Sequence, residues 1–173
     1  MANMSHNKLI VIKKDDEKSQ SEFNQFISDN LRDNEEAQKT DLTFEGLIPM
    51  PEELKITSPA QDENEKKQAE INLEKYGAKD WYDWACKNWG TKFDAITNGV
   101  KKTDSMITID FDSAWAPPEL WLDKIAATYL NLEFEFYCSE EQGSFDGKGI
   151  VKNGEWDWKI NRPASWLETE LNK

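Results

Sequence analysis

The sequence predicts an α+β protein, a small antiparallel or mixed sheet covered on one face by helices, in the manner of a split βαβ sandwich. Three observations predict it. Two stretches, Met106 to Phe111 and Leu132 to Cys138, alternate apolar and polar residues at the period of a half-buried strand. Between them, APPELWLDKIAATYL, Ala116 to Leu130, has helical spacing and proline in its first turn. After them, Asn153-Gly154 separates two strand-like arms, as the tight turn of a hairpin does.

The other elements follow in chain order. KLIVIKK, Lys8 to Lys14, reads as a first strand, β-branched and bounded by charge. Phe23, Phe26, Ile27 and Leu31 then recur at helical spacing, with Ser19 or Ser21 as cap and an end near Asn34. FEGLIPMPEEL, Phe44 to Leu54, is expected as a loop that packs down, because Gly46, Pro49 and Pro51 exclude regular structure. ITSPAQDENEKK, 56–67, is the most polar stretch and is expected as a mobile insertion. Ala69, Leu73 and Tyr76 predict a helix stopped by Gly77, and 79–88 a second, closed by Gly90. Asn98-Gly99 reads as a turn.

In the first alternating strand, Ile107, Ile109 and Phe111 share one face, and Thr108 and Asp110 the other. The helix after it has its stripe at Leu122, Ile125, Ala126 and Tyr129. In the next strand Leu132, Phe134, Phe136 and Cys138 point inward and Glu133 and Glu135 outward. Gly143, Gly147 and Gly149 read as turn residues ahead of the hairpin, whose second arm sets Trp156, Trp158 and Ile160 on one face. A short helix is expected around Trp166 and Leu167. The reading is one domain over 1–173, with the polar insertion at 56–67 and a C-terminal extension at 161–173.

The formal net charge is -13, from 21 basic and 34 acidic residues, and it is spread along the chain. Such a field repels phosphate backbones, so nucleic-acid binding through a broad basic patch is excluded. Eight Trp and eight Phe argue against a disordered acidic chain. Two cysteines, Cys86 and Cys138, are too few for a disulfide framework and read as buried thiols in a reducing compartment. The opening apolar run, Leu9 to Ile12, is too short for a signal-peptide core, and no run approaches the roughly 20 residues of a membrane helix. The expectation is a soluble cytoplasmic protein with no membrane partner.

KDWYDWACKNWGTKFDA, 79–95, gathers Trp81, Tyr82, Trp84, Trp89 and Phe93. On a helix these wrap more than half of the circumference, wider than the stripe of a surface helix. The block reads chiefly as core, since large aromatics fill a small interior efficiently. The alternative is a partly exposed aromatic patch that uses Trp84, Trp89, Trp115 and Trp121 to bind a partner.

Three blocks, LIPMPEEL at 47–54, YGAKDWYDWACKNWGTKFDA at 76–95 and FDSAWAPPELWLDKIA at 111–126, resemble the YubB-like family of phage and plasmid proteins. The order Pro-Met-Pro, Trp-Gly-Thr-Lys, Ala-Trp-x-Pro-Pro recurs there, and the likeness runs from about Phe44 to Glu141, with NKLIVI at the start also similar. It departs at 56–67 and in the last 30 residues. The resemblance implies a ferredoxin-like fold and a mobile-element origin, and carries no functional residue over.

Little in the chain points to catalysis. The one histidine, His6, precedes the first expected strand and reads as solvated, which leaves Ser-His-Asp and Cys-His arrangements without a base. There is no glycine-rich phosphate loop, and two cysteines with one histidine do not make a zinc site. Asp110 and Asp112, two apart at a strand end, share a face and are the candidate metal ligands, although solvated carboxylates are the plainer reading. Asp94 is expected to cap a turn. No cofactor is implied. The expected function is that of a non-enzymatic phage or plasmid protein that binds a host protein, in its sharpest form as an acidic DNA mimic. The alternatives are a small carboxylate- or metal-dependent enzyme and a single-stranded nucleic-acid module that uses the sheet.

Overall fold

A computed structural model describes residues 3–161. Its centre is a six-stranded sheet in the order β4-β5-β1-β6-β7-β8, antiparallel at every junction. The strands are β1 (Met4–Lys13), β4 (Ile96–Lys102), β5 (Met106–Ala114), β6 (Leu132–Glu140), β7 (Asp146–Lys152) and β8 (Glu155–Asn161). The helices α1 (Glu17–Asn30) and α5 (Glu119–Thr128) lie on one face of it. The crossover from β1 through α1 leads to β4, with β5 between them, and that from β5 through α5 leads to β6, with β1 between them. Two interleaved split βαβ units of this kind make a ferredoxin-like fold, here widened by the β7–β8 hairpin.

Burial explains the placement. The helix-side residues Leu9, Val11, Ile107, Ile109, Phe111, Phe134 and Phe136 are buried, as are Leu122, Ile125, Ala126 and Tyr129 from α5. The alternation read in β5 and β6 and the stripe read in α5 therefore hold. The hairpin turn also holds: Asn153 and Gly154 have φ of 54° and 78°, the positive values that a tight two-residue connection requires.

Several elements differ from the sequence reading. β1 begins at Met4 rather than at Lys8, because its first inward positions are the polar Ser5 and Asn7, which hide the alternation. They are buried with their bonds made: Ser5 Oγ donates to Asn7 Oδ1 at 2.9 Å, and Asn7 Nδ2 donates to Ser113 Oγ at 2.9 Å. The α1 cap is Asp16, which accepts from the Ser19 N–H, while Ser19 is buried and donates to the Asn131 carbonyl. That helix stops at Asn30, because the chain turns into a separate hairpin of β2 (Leu31–Asn34) and β3 (Lys39–Leu42).

The stretch expected as a loop holds one short turn, α2 (Glu52–Lys55). Residues 63–67 of the expected mobile insertion are helical: α3 (Glu63–Tyr76) starts behind a capping box of Asp62 and Glu65 and stops at Gly77, φ 72°. Its expected apolar stripe is only partly buried; Leu73 is exposed, and the anchor is Asn72, whose Nδ2 donates to the Lys79 carbonyl at 3.0 Å. Asn98-Gly99 lies inside β4, where the register against β5 shifts between Thr97 and Gly99, so the expected turn is a bulge. Gly147 and Gly149 are in β7, not in a turn. A Cβ on Gly149 would lie 2.5 Å from the Trp158 ring, so the glycine makes room for that indole. The helix expected around Trp166 and the extension beyond Asn161 lie outside the described residues.

Candidate functional site: the open face of the sheet

The aromatic block resolves into a fastening between the segment that follows β3, around Phe44 and Ile48, and the sheet. α4 (Trp81–Asn88) is capped by Asp80 and buries Trp84 and Ala85. Trp89 follows, buried against Phe44 and Trp84 with ring centroids 6.0 and 5.4 Å away, and its Nε1–H donates to the Ile48 carbonyl at 2.9 Å. Gly90 has φ 82°, and a Cβ there would sit 3.1 Å from the backbone nitrogens of Glu119 and Leu120, so the first turn of α5 closes directly on it. Thr91 Oγ1 donates to the Ala114 carbonyl at 3.0 Å, and Asp94 accepts from Thr43 Oγ1 and the Phe44 N–H, both at 2.6 Å. Burial pushes the Asp94 carboxyl up, against donors that pull it down. Trp-Gly-Thr-Lys-Phe-Asp is thus a structural clasp, and Asp94 holds a turn as expected.

This placement decides the aromatic binding candidates. Trp84, Trp89 and Trp121 are buried, at 6%, 4% and 0% exposure, and cannot form an accessible patch. Trp115 alone of the four is exposed. Its φ is 66°, and the Ala116 N–H bonds the Ala114 carbonyl across it at 2.8 Å, the mark of a strained γ-turn. Its ring meets Tyr82 edge-on at 6.1 Å, and Lys92 Nζ lies over it at 5.5 Å. Cys86, expected as buried, is half-buried beside Tyr82, and this partial burial raises the pKa of its thiol.

The other face of the sheet bears no helix among the described residues, and side chains stand on it in cross-strand rows. In one row Asp112, His6 and Ser139 lie side by side on β5, β1 and β6. His6 Nδ1 and Asp112 Oδ1 are 2.6 Å apart, and this bond raises the imidazole pKa, with the charges of Glu141 and Glu140 adding to it. The next row sets Asp110, Lys8, Tyr137 and Lys148 together. Lys8 Nζ is 3.6 Å from Asp110 Oδ1, and Lys148 Nζ lies 5.1 Å above the Tyr137 ring. Tyr137 in turn donates to Glu135 Oε2 at 3.0 Å. A shallow hollow of about 640 Å³ opens over His6, Lys8, Asp110, Tyr137 and Ser139. Beside these rows Ile10, Ile12 and Met106 stand together, and Glu135 lies between Ile10 and Ile150.

Asp110 and Asp112 therefore share a face, as their spacing predicts, but each already meets a basic side chain of β1. No cluster of three or more metal-ligating side chains occurs among the described residues. His6, read from sequence as solvated and ahead of the first strand, is exposed as expected but lies inside β1, bonded to Asp112. The signal was the run Ser5-His6-Asn7-Lys8, whose alternation is that of β1 with polar residues inward.

No helix among the described residues is long and apolar enough to cross a membrane. No curated protein and no solved structure matches the chain. Residues 88–164 match the family described as a ferredoxin-like domain in Api92-like protein. The match opens at the clasp and takes in β4, β5, α5, β6, β7 and β8, so it covers the second split βαβ unit and the added hairpin.

Proposed function

We propose that this protein acts by binding another protein through the open face of its sheet, and that it carries out no chemistry of its own. The observation that carries this reading is the partly exposed apolar group of Ile10, Ile12 and Met106, with Ile150 across Glu135, left uncovered by any described helix and bordered by the charged rows. Apolar surface inside a polar rim is the usual anatomy of an interface. The likeness of the three blocks to phage and plasmid proteins makes the partner a protein of a bacterial host. The net charge of -13 makes a basic partner the best match.

The DNA-mimic form of the idea has less support on this face. Its carboxylates alternate with Lys8, Lys148, Lys152 and Lys159, whereas a phosphate backbone is uniformly negative. The same acidic rows disfavour single-stranded nucleic acid, since among the described residues Tyr137 and the acid-paired imidazole of His6 are the rings on that face.

A second reading rests on the His6–Asp112 contact, the arrangement by which a carboxylate orients an imidazole for acid–base work. It lacks a cluster of donors aimed at one reacting atom.

The test is capture of a tagged protein from bacterial lysate at low and high salt, beside an Ile10→Lys/Ile150→Lys variant. One host protein retained by the native chain and lost with the variant supports the interface. Loss of that protein at high salt shows attraction by charge. Retention by the variant removes the open face, and a substrate turned over only with His6 intact favours the second reading.

A further inference from the structure

The two edges of the sheet are finished differently. β4 carries the bulge at Asn98, exposes Lys101 and Lys102, and is flanked by the β2–β3 hairpin, whose Leu42 N–H donates to Thr97 Oγ1 at 2.8 Å. Bulges, lysines and covering segments are the means by which a sheet edge is closed to further pairing. β8 has neither bulge nor proline, keeps regular register with β7 from Glu155 to Asn161, and has no strand beyond it among the described residues. We infer that β8 is a pairing edge, and that its occupant is β8 of a second copy of this chain, antiparallel about a two-fold axis at Trp158.

Register argues for this occupant. The tight turn at Asn153-Gly154 makes Lys152 and Glu155 a hydrogen-bonded pair, so Glu155, Asp157 and Lys159 direct their backbone groups to β7. Trp156, Trp158 and Ile160 then direct theirs to the free edge. An antiparallel copy must match these three positions among themselves, which leaves two-fold axes at residues 157, 158 or 159. An axis at 157 sets Asp157 against its own copy, and one at 159 sets Lys159 against its own copy; like charges directly opposite are destabilising. An axis at 158 sets Asp157 opposite Lys159 twice, by symmetry. It also sets Trp156 opposite Ile160 and Trp158 opposite its copy. The strand is thus complementary to itself in one register.

The side chains at that edge are already in place. Trp156 and Trp158 stack at 4.9 Å and 19°, Trp156 Nε1 donates to the Leu122 carbonyl at 2.8 Å, and Trp158 rests on Gly149. Both indoles are only half-buried in the single chain. Pairing would continue their row into the second copy and join the two open faces into one surface, which would give a bound partner two equivalent sites.

The experiment is sedimentation equilibrium on the full chain over a concentration series, with three variants. The native chain is expected to be a dimer. Lys159→Glu sets two acidic residues opposite each other and should raise the dimer Kd by about tenfold or more. Asp157→Lys/Lys159→Glu restores opposite charges in the same register and should bring the Kd back towards the native value. Ile160→Pro removes an N–H that points away from β7, so the single chain keeps its ladder while the dimer is lost; circular dichroism and a thermal melt confirm the fold. A native chain that stays monomeric throughout overturns the inference. So does a dimer indifferent to Ile160→Pro, and a double variant no tighter than Lys159→Glu overturns the register.

Discussion

The two faces of the sheet come from the same strands, one residue out of phase, and they do opposite things. On β5, Ile107, Ile109 and Phe111 go under the helices while Thr108, Asp110 and Asp112 face out. On β6, Phe134 and Phe136 go under while Glu133, Glu135 and Tyr137 face out. The inner face is continuous with a buried aromatic network, in which Phe44 reaches Trp121 at 4.9 Å, Phe111 at 6.0 Å and Trp89 at 6.0 Å. The outer face holds polar contacts between partly exposed groups, such as Lys8–Asp110, His6–Asp112 and Tyr137–Glu135. Stability therefore resides on one side of the sheet, and freedom to vary on the other.

The largest effect that breaks this contrast is expected at the clasp. Trp89→Ala removes a buried indole from between Phe44 and Trp84 together with its bond to Ile48, and should cost about 3–5 kcal/mol. On the outer face, Glu133→Ala should stay within about 0.5 kcal/mol, because the Glu133–Lys14 pair is 3.8 Å long and exposed on both sides. Urea titrations of the two variants measure both numbers, and similar losses would mean that the outer face carries structure too.

That asymmetry also explains what the sequence reveals. Apolar alternation is a strong signal, and β5, β6, α5 and the hairpin follow from it with little error. The signal fails where the interior is polar. Ser5 and Asn7 are buried beside Ser113, so the alternation places the start of β1 four residues too late, and His6 with it drops out of the sheet. It fails as well where the chain folds on itself at short range, as in the β2–β3 hairpin, whose strands bury only Leu31 and Leu42. The outer-face rows depend on strand order, which no local pattern contains: Asp112 and His6 are 106 residues apart in sequence.

An intermediate effect is expected at Asp94. Its carboxylate accepts the Phe44 N–H, the Thr43 hydroxyl and the Ala95 N–H, and so ties the chain just after β3 to the start of β4. Asp94→Ala leaves these donors without their acceptor and should cost about 1–3 kcal/mol. Asp94→Asn keeps one acceptor oxygen and should cost less. Hydrogen exchange at the Phe44 amide reports the same loss locally: it should quicken in Asp94→Ala more than amides of β6 do. Equal acceleration in both places would show that Asp94 acts through global stability alone.

The smallest effect is on the outer face and depends on pH. Asp112 raises the pKa of His6, so the folded chain binds the proton more tightly than the unfolded chain, whose imidazole titrates near 6.5. The stabilisation is fully present below pH 6.5 and is lost as pH rises through the folded value above it. His6 is 53% exposed, so solvent screening limits the term to on the order of a few tenths of a kcal/mol. Asp112→Asn removes the charge that holds the proton, and its deficit against the native chain should be larger at pH 5.5 than at pH 8.5. Urea midpoints of the two proteins at those pH values measure the difference. A deficit of the same size at both would mean that the 2.6 Å contact is an ordinary neutral hydrogen bond, and that the outer face carries no proton-linked term at this row.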